Sequence, residues 1–406
     1  MAVGLKALSK LHPVSGVKIG VAQAGIKKAN HNDVTLFEIC EGATVASVFT
    51  KNRFCAAPVV VAKENLASAM PRYLLVNTGN ANAGTGPAGK QVSLDCCSAV
   101  ASIAGCKNTQ VLPFSTGVIG ELLNANKIIS ALPVAFENLT EDNWSIAASS
   151  IMTTDTMPKG CSTKIELAGE TVTITGISKG SGMIRPDMAT MLAYVATDAQ
   201  IEPVFLQSLL SKANRVSFNA ITVDGDTSTN DACILVATGK SQTKLDENSP
   251  QELIEKFYQV LESTLQHLAQ SIIRDGEGAT KFISVKIEAG KDIAECEKVA
   301  YTIAHSPLVK TAFFASDPNW GRILAAVGRA GIDDLEVEGL SIKLNDTVIV
   351  ENGGRAASYS EEQGQAIMNQ EEICICVNLA RGDAEHTVWT CDFSYDYVKI
   401  NAEYRT

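Results

Sequence analysis

The sequence predicts a mixed α/β fold built from more than one unit, and three observations carry that expectation. At 406 residues the chain is longer than one ordinary hydrophobic core serves, which favours two or three domains, interleaved or in series. Strand-like and helix-like stretches alternate along most of its length. The stretch TMLAYVAT, residues 190–197, is apolar on both alternating faces, as expected of a strand buried between two layers.

Taken in order, VKIGVAQAGI (17–26), DVTLFEIC (33–40) and TVASVFT (44–50) read as successive strands at the start of a sheet. A short helix follows, then a strand, LLVNTG, which ends in a Gly/Asn-rich loop. Residues 90–104 carry apolar positions at helical spacing, VLPFSTGVIG (111–120) is a strand entering a Gly-bounded turn, and 121–136 reads as a helix. A helix over part of 141–156 precedes KIELAGETVTITG, whose Ala-Gly-Glu centre marks a hairpin. The longest helical pattern follows a Ser-Pro start signal at 249–250 and runs to about Arg274. The remainder, from about Asp292, alternates short strands with two helices and reads as a second α/β unit. The division is drawn at 285/286, giving units 1–285 and 286–406.

Composition excludes several classes of function. With 46% hydrophobic and 19% charged residues the chain is globular rather than disordered or fibrous. It shows no run of about 18 apolar residues, so a membrane span is not expected, and its first residues lack a secretory pattern. Net charge is −11 with scattered basic residues, which argues against nucleic acid as a partner. The cysteines number 11, an odd count with no CxxC pair, and read as reduced thiols of a cytoplasmic protein.

The usual catalytic bases are scarce. The five histidines show no HxxxH or HExxH spacing, and none sits beside a GxSxG elbow. The loop DGDTSTND (224–231) spaces carboxylates like a calcium loop, but it has Thr229 at the sixth position and Leu235 at the twelfth, so no metal is expected there. The loop 78–86 lacks the ending of a phosphate-binding loop and reads as a turn or a pocket wall. Ser115-Thr116-Gly117 joins a strand to a helical stretch, an arrangement that either offers donors to a developing oxyanion or is a tight turn needing Gly117.

Thr190 follows a Gly- and Pro-containing turn and opens the doubly apolar strand. By pattern alone it is a strand residue. If the Ala189–Thr190 bond were cut, however, Thr190 would carry both a hydroxyl and a free α-amine. The amine's ordinary pKa of about 7.7–8.0 lets it act as general base near neutral pH without a histidine.

The segment KGSGMIRPDMATML (179–192) resembles the self-cleavage motif of the ornithine acetyltransferase family, the glutamate N-acetyltransferases of arginine biosynthesis. NTGNAN (77–82), STG (115–117), MTTDT (152–156), VDGDTSTN (223–230), DGEGAT (275–280), DPNWGR (317–322) and INAEYRT (400–406) match in the same order, so the resemblance covers essentially the whole chain.

The resemblance implies a precursor that cleaves itself between Ala189 and Thr190 into chains 1–189 and 190–406, which stay together and pair as α2β2. It implies an αββα sandwich similar to the DmpA-like, N-terminal-nucleophile-like hydrolases, with an added C-terminal α/β domain. Carried over by motif, Thr190 is the nucleophile and Thr116 with Gly117 the oxyanion hole. Lys179, Glu277, Asn401, Thr406 and a threonine of the 152–155 segment, Thr153 ahead of Thr154, contact substrate together with Thr190. The implied reaction moves an acetyl group from N2-acetyl-L-ornithine to L-glutamate through an acetyl-threonine ester, with no cofactor. Members of the family divide into those using acetylornithine alone and those also accepting acetyl-CoA. No residue here separates the two, and the bifunctional form is the expectation. Two rivals remain at this level: an amidase or aminopeptidase of the same fold, and an uncleaved amino-acid-binding protein.

Overall fold

The computed structural model describes residues 2–185 and 191–403. The first part of the chain runs β1 (Val17–Ala22), β2 (Val34–Ile39), β3 (Thr44–Phe49), α1 (Ala57–Ser68), β4 (Tyr73–Asn77), α2 (Gly86–Ala104), β5 (Val111–Ser115), α3 (Ala125–Glu137) and α4 (Trp144–Ser150). Next come β6 (Lys159–Leu167), β7 (Glu170–Lys179), β8 (Leu192–Thr197), β9 (Gln200–Ile201), α5 (Pro203–Arg215), β10 (Ala232–Ala237), β11 (Lys244–Leu245) and α6 (Gln251–Arg274). The last part contains β12 (Phe282–Gly290), α7 (Ile293–Ala304), α8 (Pro307–Phe314), α9 (Trp320–Gly328), β13 (Ser341–Leu344), β14 (Thr347–Glu351), β15 (Gly354–Arg355), α10 (Glu361–Met368), β16 (Glu372–Asn378), β17 (Ala384–Cys391) and α11 (Tyr395–Ala402).

Two sheets lie face to face. One has the order β1-β2-β4-β5 and the other β3-β10-β8-β7-β6. Phe37, Phe114, Trp144, Tyr194 and Ile234 fill the space between them. Helices α2 and α3 cover the outer face of the first sheet through Cys97, Val100 and Leu132. Helices α5 and α6 cover the second through Leu206, Leu210, Leu265 and Leu268. The result is an αββα sandwich. The doubly apolar pattern of β8 follows from it: Leu192, Tyr194 and Ala196 point into the inter-sheet core, while Ala193 and Val195 point to the helix layer. Strand β10 alternates the same way and runs parallel to β8.

The six-stranded sheet β15-β14-β13-β16-β12-β17 forms the second unit, with α7, α8, α9 and α10 packed on it. The 285/286 division falls inside β12, whose residues from Phe282 onward pair with β16 and β17. Phe282 and Cys391 join the core under α6 and so bind the two units together.

Several local expectations change. Strand β3 leaves β1 and β2 and pairs with β10 in the opposite sheet; alternation reports a half-buried strand but not its partner. Helix α3 starts at Ala125, where the Asn124 side chain accepts from the Asn126 amide, so Thr116 and Gly117 lie in a loop rather than at a helix start. Helix α4 lies within 141–156 as expected and ends at Ser150, leaving 152–158 as irregular backbone. Among the described residues the C-terminal part holds five α-helices instead of two, because helices of eight or nine residues, such as α8 to α11, are too short to show a clear period. No helix among the described residues is long and apolar enough to cross a membrane.

Candidate active site

The site is assembled from loop ends at one edge of the sandwich. Parallel strands β4 and β5 end side by side, with Asn77 opposite Ser115. The Ser115 hydroxyl donates to Asn77 Oδ1 at 2.6 Å and the Thr116 amide to Asn77 O at 3.0 Å. Gly117 then takes φ +132°, and a Cβ there would lie 2.6 Å from Asn80 N and 2.7 Å from Gly79 O. No side chain fits between these loops, which is why glycine is required. Asn230 pins a third loop by donating to Ala81 O at 2.6 Å and Ser115 O at 2.9 Å. With its amide engaged, Thr116 has its hydroxyl to offer. The Gly117 amide has no acceptor among the described residues.

A cavity of about 260 Å³ opens on these two residues and is also lined by Thr153, Thr154, Lys179, Glu277 and Asn401. Seven of the residues singled out from the sequence therefore meet in one place. Lys179 ends β7 opposite Leu192, the first residue of β8, and donates to Thr153 Oγ1 at 3.4 Å. Ala189, Thr190 and Thr406 lie outside the described residues. No histidine lines this cavity.

Glu277 is held against Gly182, where a Cβ would come 2.6 Å from its Oε1. Its amide donates to Ser181 O at 3.0 Å, and Asn401 Nδ2 donates to its Oε2 at 2.9 Å. Burial pushes the Glu277 carboxyl above the usual range, against hydrogen bonds from Thr154 and Asn401 that favour its charged form. Burial likewise lowers Lys179, opposed by the nearby charges of Asp155 and Asp231. Asp231 is pushed well up by burial, and its Oδ2 has no hydrogen-bond partner among the described residues. Thr153 and Thr154 both face the cavity, Thr153 toward Lys179 and Thr154 toward Glu277.

Beneath the cavity lies an ion cluster that pattern reading missed. Lys159 Nζ sits 2.6 Å from Asp155 Oδ1 and 2.6 Å from Asp275 Oδ2, with all three side chains essentially inaccessible. Asp155 also accepts from the Gly180 amide at 2.7 Å and the Thr153 amide at 3.1 Å. Asp275 accepts from the Thr156 amide and hydroxyl, and its own carbonyl receives Ser181 Oγ at 2.6 Å. One buried cluster thus ties together the segments that carry Thr153, Lys179 and Glu277. Burial pushes the Asp155 carboxyl upward, but Lys159 and Lys179 hold it well below the usual range. The available signal was the Asp155–Lys159 spacing beside the MTTDT motif and the Asp that opens DGEGAT.

The 224–231 loop proves to be a clamp. Asp224 accepts from the Met183 and Ile184 amides at 2.6 and 3.0 Å, fixing the chain that leaves the cavity wall. Among the described residues no group of three His, Cys, Asp or Glu could hold a metal. A larger cavity of about 600 Å³ adjoins the first, and the two share Gly117, Val118, Thr153 and Thr154.

Residues 18–406 match the family described as ArgJ family. The arginine biosynthesis bifunctional protein ArgJ of Pseudomonas fluorescens (strain Pf0-1) is 54% identical over 406 residues, covering 100% of both chains. That of Methylococcus capsulatus is 55% identical over 397 residues, covering 98% of this chain and 97% of its own. Among solved structures, the protein of the same name from Bacillus halodurans is 39% identical, with a TM-score of 0.48, 50% of this chain covered and 95% of that one. The ornithine acetyltransferase of Mycobacterium tuberculosis, solved with ornithine, is 28% identical, with a TM-score of 0.39, 46% of this chain covered and 98% of that one. Given a match of this length and identity, the chain belongs to the ArgJ family.

Proposed function

We propose that this enzyme of arginine biosynthesis transfers the acetyl group of N2-acetyl-L-ornithine to L-glutamate, using Thr190 as an N-terminal nucleophile released by cleavage after Ala189. The observation that carries the reading is the cavity itself. It joins an oxyanion-type pair, Thr116 and Gly117, to one cationic and one anionic side chain, Lys179 and Glu277, the set an acylated diamino acid requires.

In the first half-reaction the Thr190 hydroxyl attacks the acetyl carbonyl and its proton passes to the Thr190 α-amine. The tetrahedral oxyanion accepts hydrogen bonds from the Thr116 hydroxyl and the Gly117 amide. Collapse breaks the C–N bond, the proton returns to the departing amine, and ornithine leaves an acetyl ester on Thr190. The glutamate amine then attacks the ester by the reverse steps, yielding N-acetylglutamate and free Thr190. Lys179, with Thr406, receives the α-carboxylate, and Glu277, oriented by Asn401 and Thr154, receives the ornithine ammonium. No step needs a cofactor, and acetyl-CoA serves as a second donor to the same threonine. The two chains remain associated, assemble as α2β2 and work in the cytoplasm, with residues 286–406 as the added domain.

Assay of the wild type with acetyl-labelled N2-acetylornithine tests this directly. Label should appear in N-acetylglutamate faster than in acetate, and Thr190→Ala should abolish both. Acetate formation at an equal or greater rate would favour an amidase.

A further inference from the structure

We propose that the larger cavity is an anion-binding lobe of the active site that receives the side-chain carboxylate of the acceptor, with Lys28 as its specificity-determining residue. This inference rests on the acetyl transfer proposed above. That reaction asks one acyl centre to serve two amino acids of opposite side-chain charge: the donor ends in an ammonium, the acceptor in a carboxylate. A single pocket of fixed charge that favours one disfavours the other. The protein has two lobes meeting at Gly117 and Thr153-Thr154, the smaller holding Lys179 and Glu277 and the larger holding Lys27 and Lys28.

The smaller lobe offers Glu277, suited to the ammonium. The larger one is lined by Lys27, Lys28 and His31, from the loop between β1 and β2. Its acidic neighbours are engaged elsewhere. Both carboxylate oxygens of Asp33 accept backbone amides, from Ala24 and Ile26 at 2.6 Å each, and Asp155 is bound to Lys159. Lys27 and Glu403 each have partners, whereas Lys28 makes no ion pair among the described residues. The lobe is also close to the reacting centre. A Cβ on Gly79 would come within 3.0 Å of Lys27 Cβ, and Gly79 in turn abuts Gly117, so one side-chain-free residue, Gly79, separates the basic loop from the oxyanion pair. Both substrates can keep the same α-carboxylate seat, because rotation about Cβ–Cγ between staggered wells, roughly 120° apart, sends their side chains to different lobes.

The test is steady-state transfer from N2-acetylornithine to either glutamate or its neutral isostere glutamine, in wild type, Lys28→Ala and Lys28→Arg. Lys28→Ala should raise the glutamate KM about tenfold, the size of one charge-assisted contact, and cut the preference for glutamate over glutamine by the same factor. The acetylornithine KM should stay unchanged, and Lys28→Arg should restore most of the preference. An unchanged glutamate KM overturns the proposal, as does an equal rise for both substrates. In a parallel series with acetyl-CoA as donor, a defect confined to that donor also overturns it, since the lobe would then serve phosphates. A wild type that transfers nothing to glutamate would instead overturn the reading on which the proposal stands.

Discussion

Gly117 and Gly79 are packed backbone against backbone, with the place of a Gly117 Cβ lying 2.7 Å from Gly79 O. Gly117→Ala must therefore spread the two loops and shift one oxyanion donor. Loss of one such donor typically costs about a hundredfold to a thousandfold in rate, and Gly117→Ala should lower kcat by at least that much. Gly120→Ala is the control, because φ is +88° there but no atom lies within 4 Å of a new Cβ. It should cost about 1 kcal/mol of stability from the left-handed backbone and leave kcat near wild type. Equal activity in the two variants would dissociate Gly117 from the chemistry.

Removal of Lys159 leaves two buried carboxylates unpaired. Lys159→Met should destabilise the protein by about 3–5 kcal/mol in denaturant unfolding, the range for breaking a buried ion pair. Asp155 adds a pH signature. Its folded pKa lies below its unfolded value, so its stabilisation is present above the ordinary carboxylate range and is lost as pH falls through the depressed folded value. Asp155→Asn should remove that acid-side dependence. If unfolding of Asp155→Asn below about pH 4 follows the wild-type slope, the cluster is not what holds the cavity floor.

The pH dependence of donor binding should be set by Glu277 and Lys179. A raised Glu277 pKa means its charge is lost on acidification earlier than for an ordinary glutamate, so the acetylornithine KM should rise on the acid side. A lowered Lys179 pKa means its charge is lost on the alkaline side earlier than for an ordinary lysine, weakening hold on the carboxylate. Glu277→Gln should flatten the acid limb and leave the alkaline limb in place. An acid limb that survives in this variant would show that Glu277 does not meet the donor.

Tyr194 packs at a tilt against Phe37, with ring centroids 4.9 Å apart, and meets Phe114 edge-to-face at 5.4 Å in the inter-sheet core, where its hydroxyl has no hydrogen-bond partner among the described residues. Burying an unpaired hydroxyl costs about 1–3 kcal/mol, so Tyr194→Phe should raise Tm or leave it unchanged. Tyr194→Ala should cost about 3–5 kcal/mol as a large-to-small core change. A clear loss of stability in Tyr194→Phe would mean that the hydroxyl is satisfied in solution.

What could be read in advance followed burial. Strands β8 and β10 were legible because each is covered on both faces, and a strand of that kind has no polar face to hide it. The motif residues around the cavity were legible through resemblance, whereas their mutual support was not. Asn77 and Ser115 are neighbours only because β4 and β5 run parallel, and Lys159 shows no role until the distant Asp275 is brought to it beside Asp155, four residues before it. The destination of β3 was hidden for the same reason, since pairing is a property of the assembled sheets.

The measurement with most bearing on the account is denaturing mass spectrometry of the purified wild type before and after addition of N2-acetylornithine, beside Thr190→Ala. Two chains, 1–189 and 190–406, should appear in the wild type alone, and a single acetyl group should appear on the second chain after donor is added and disappear on addition of glutamate. A single intact wild-type chain, or a cleaved one that never carries acetyl, would contradict Thr190 as the acetyl carrier.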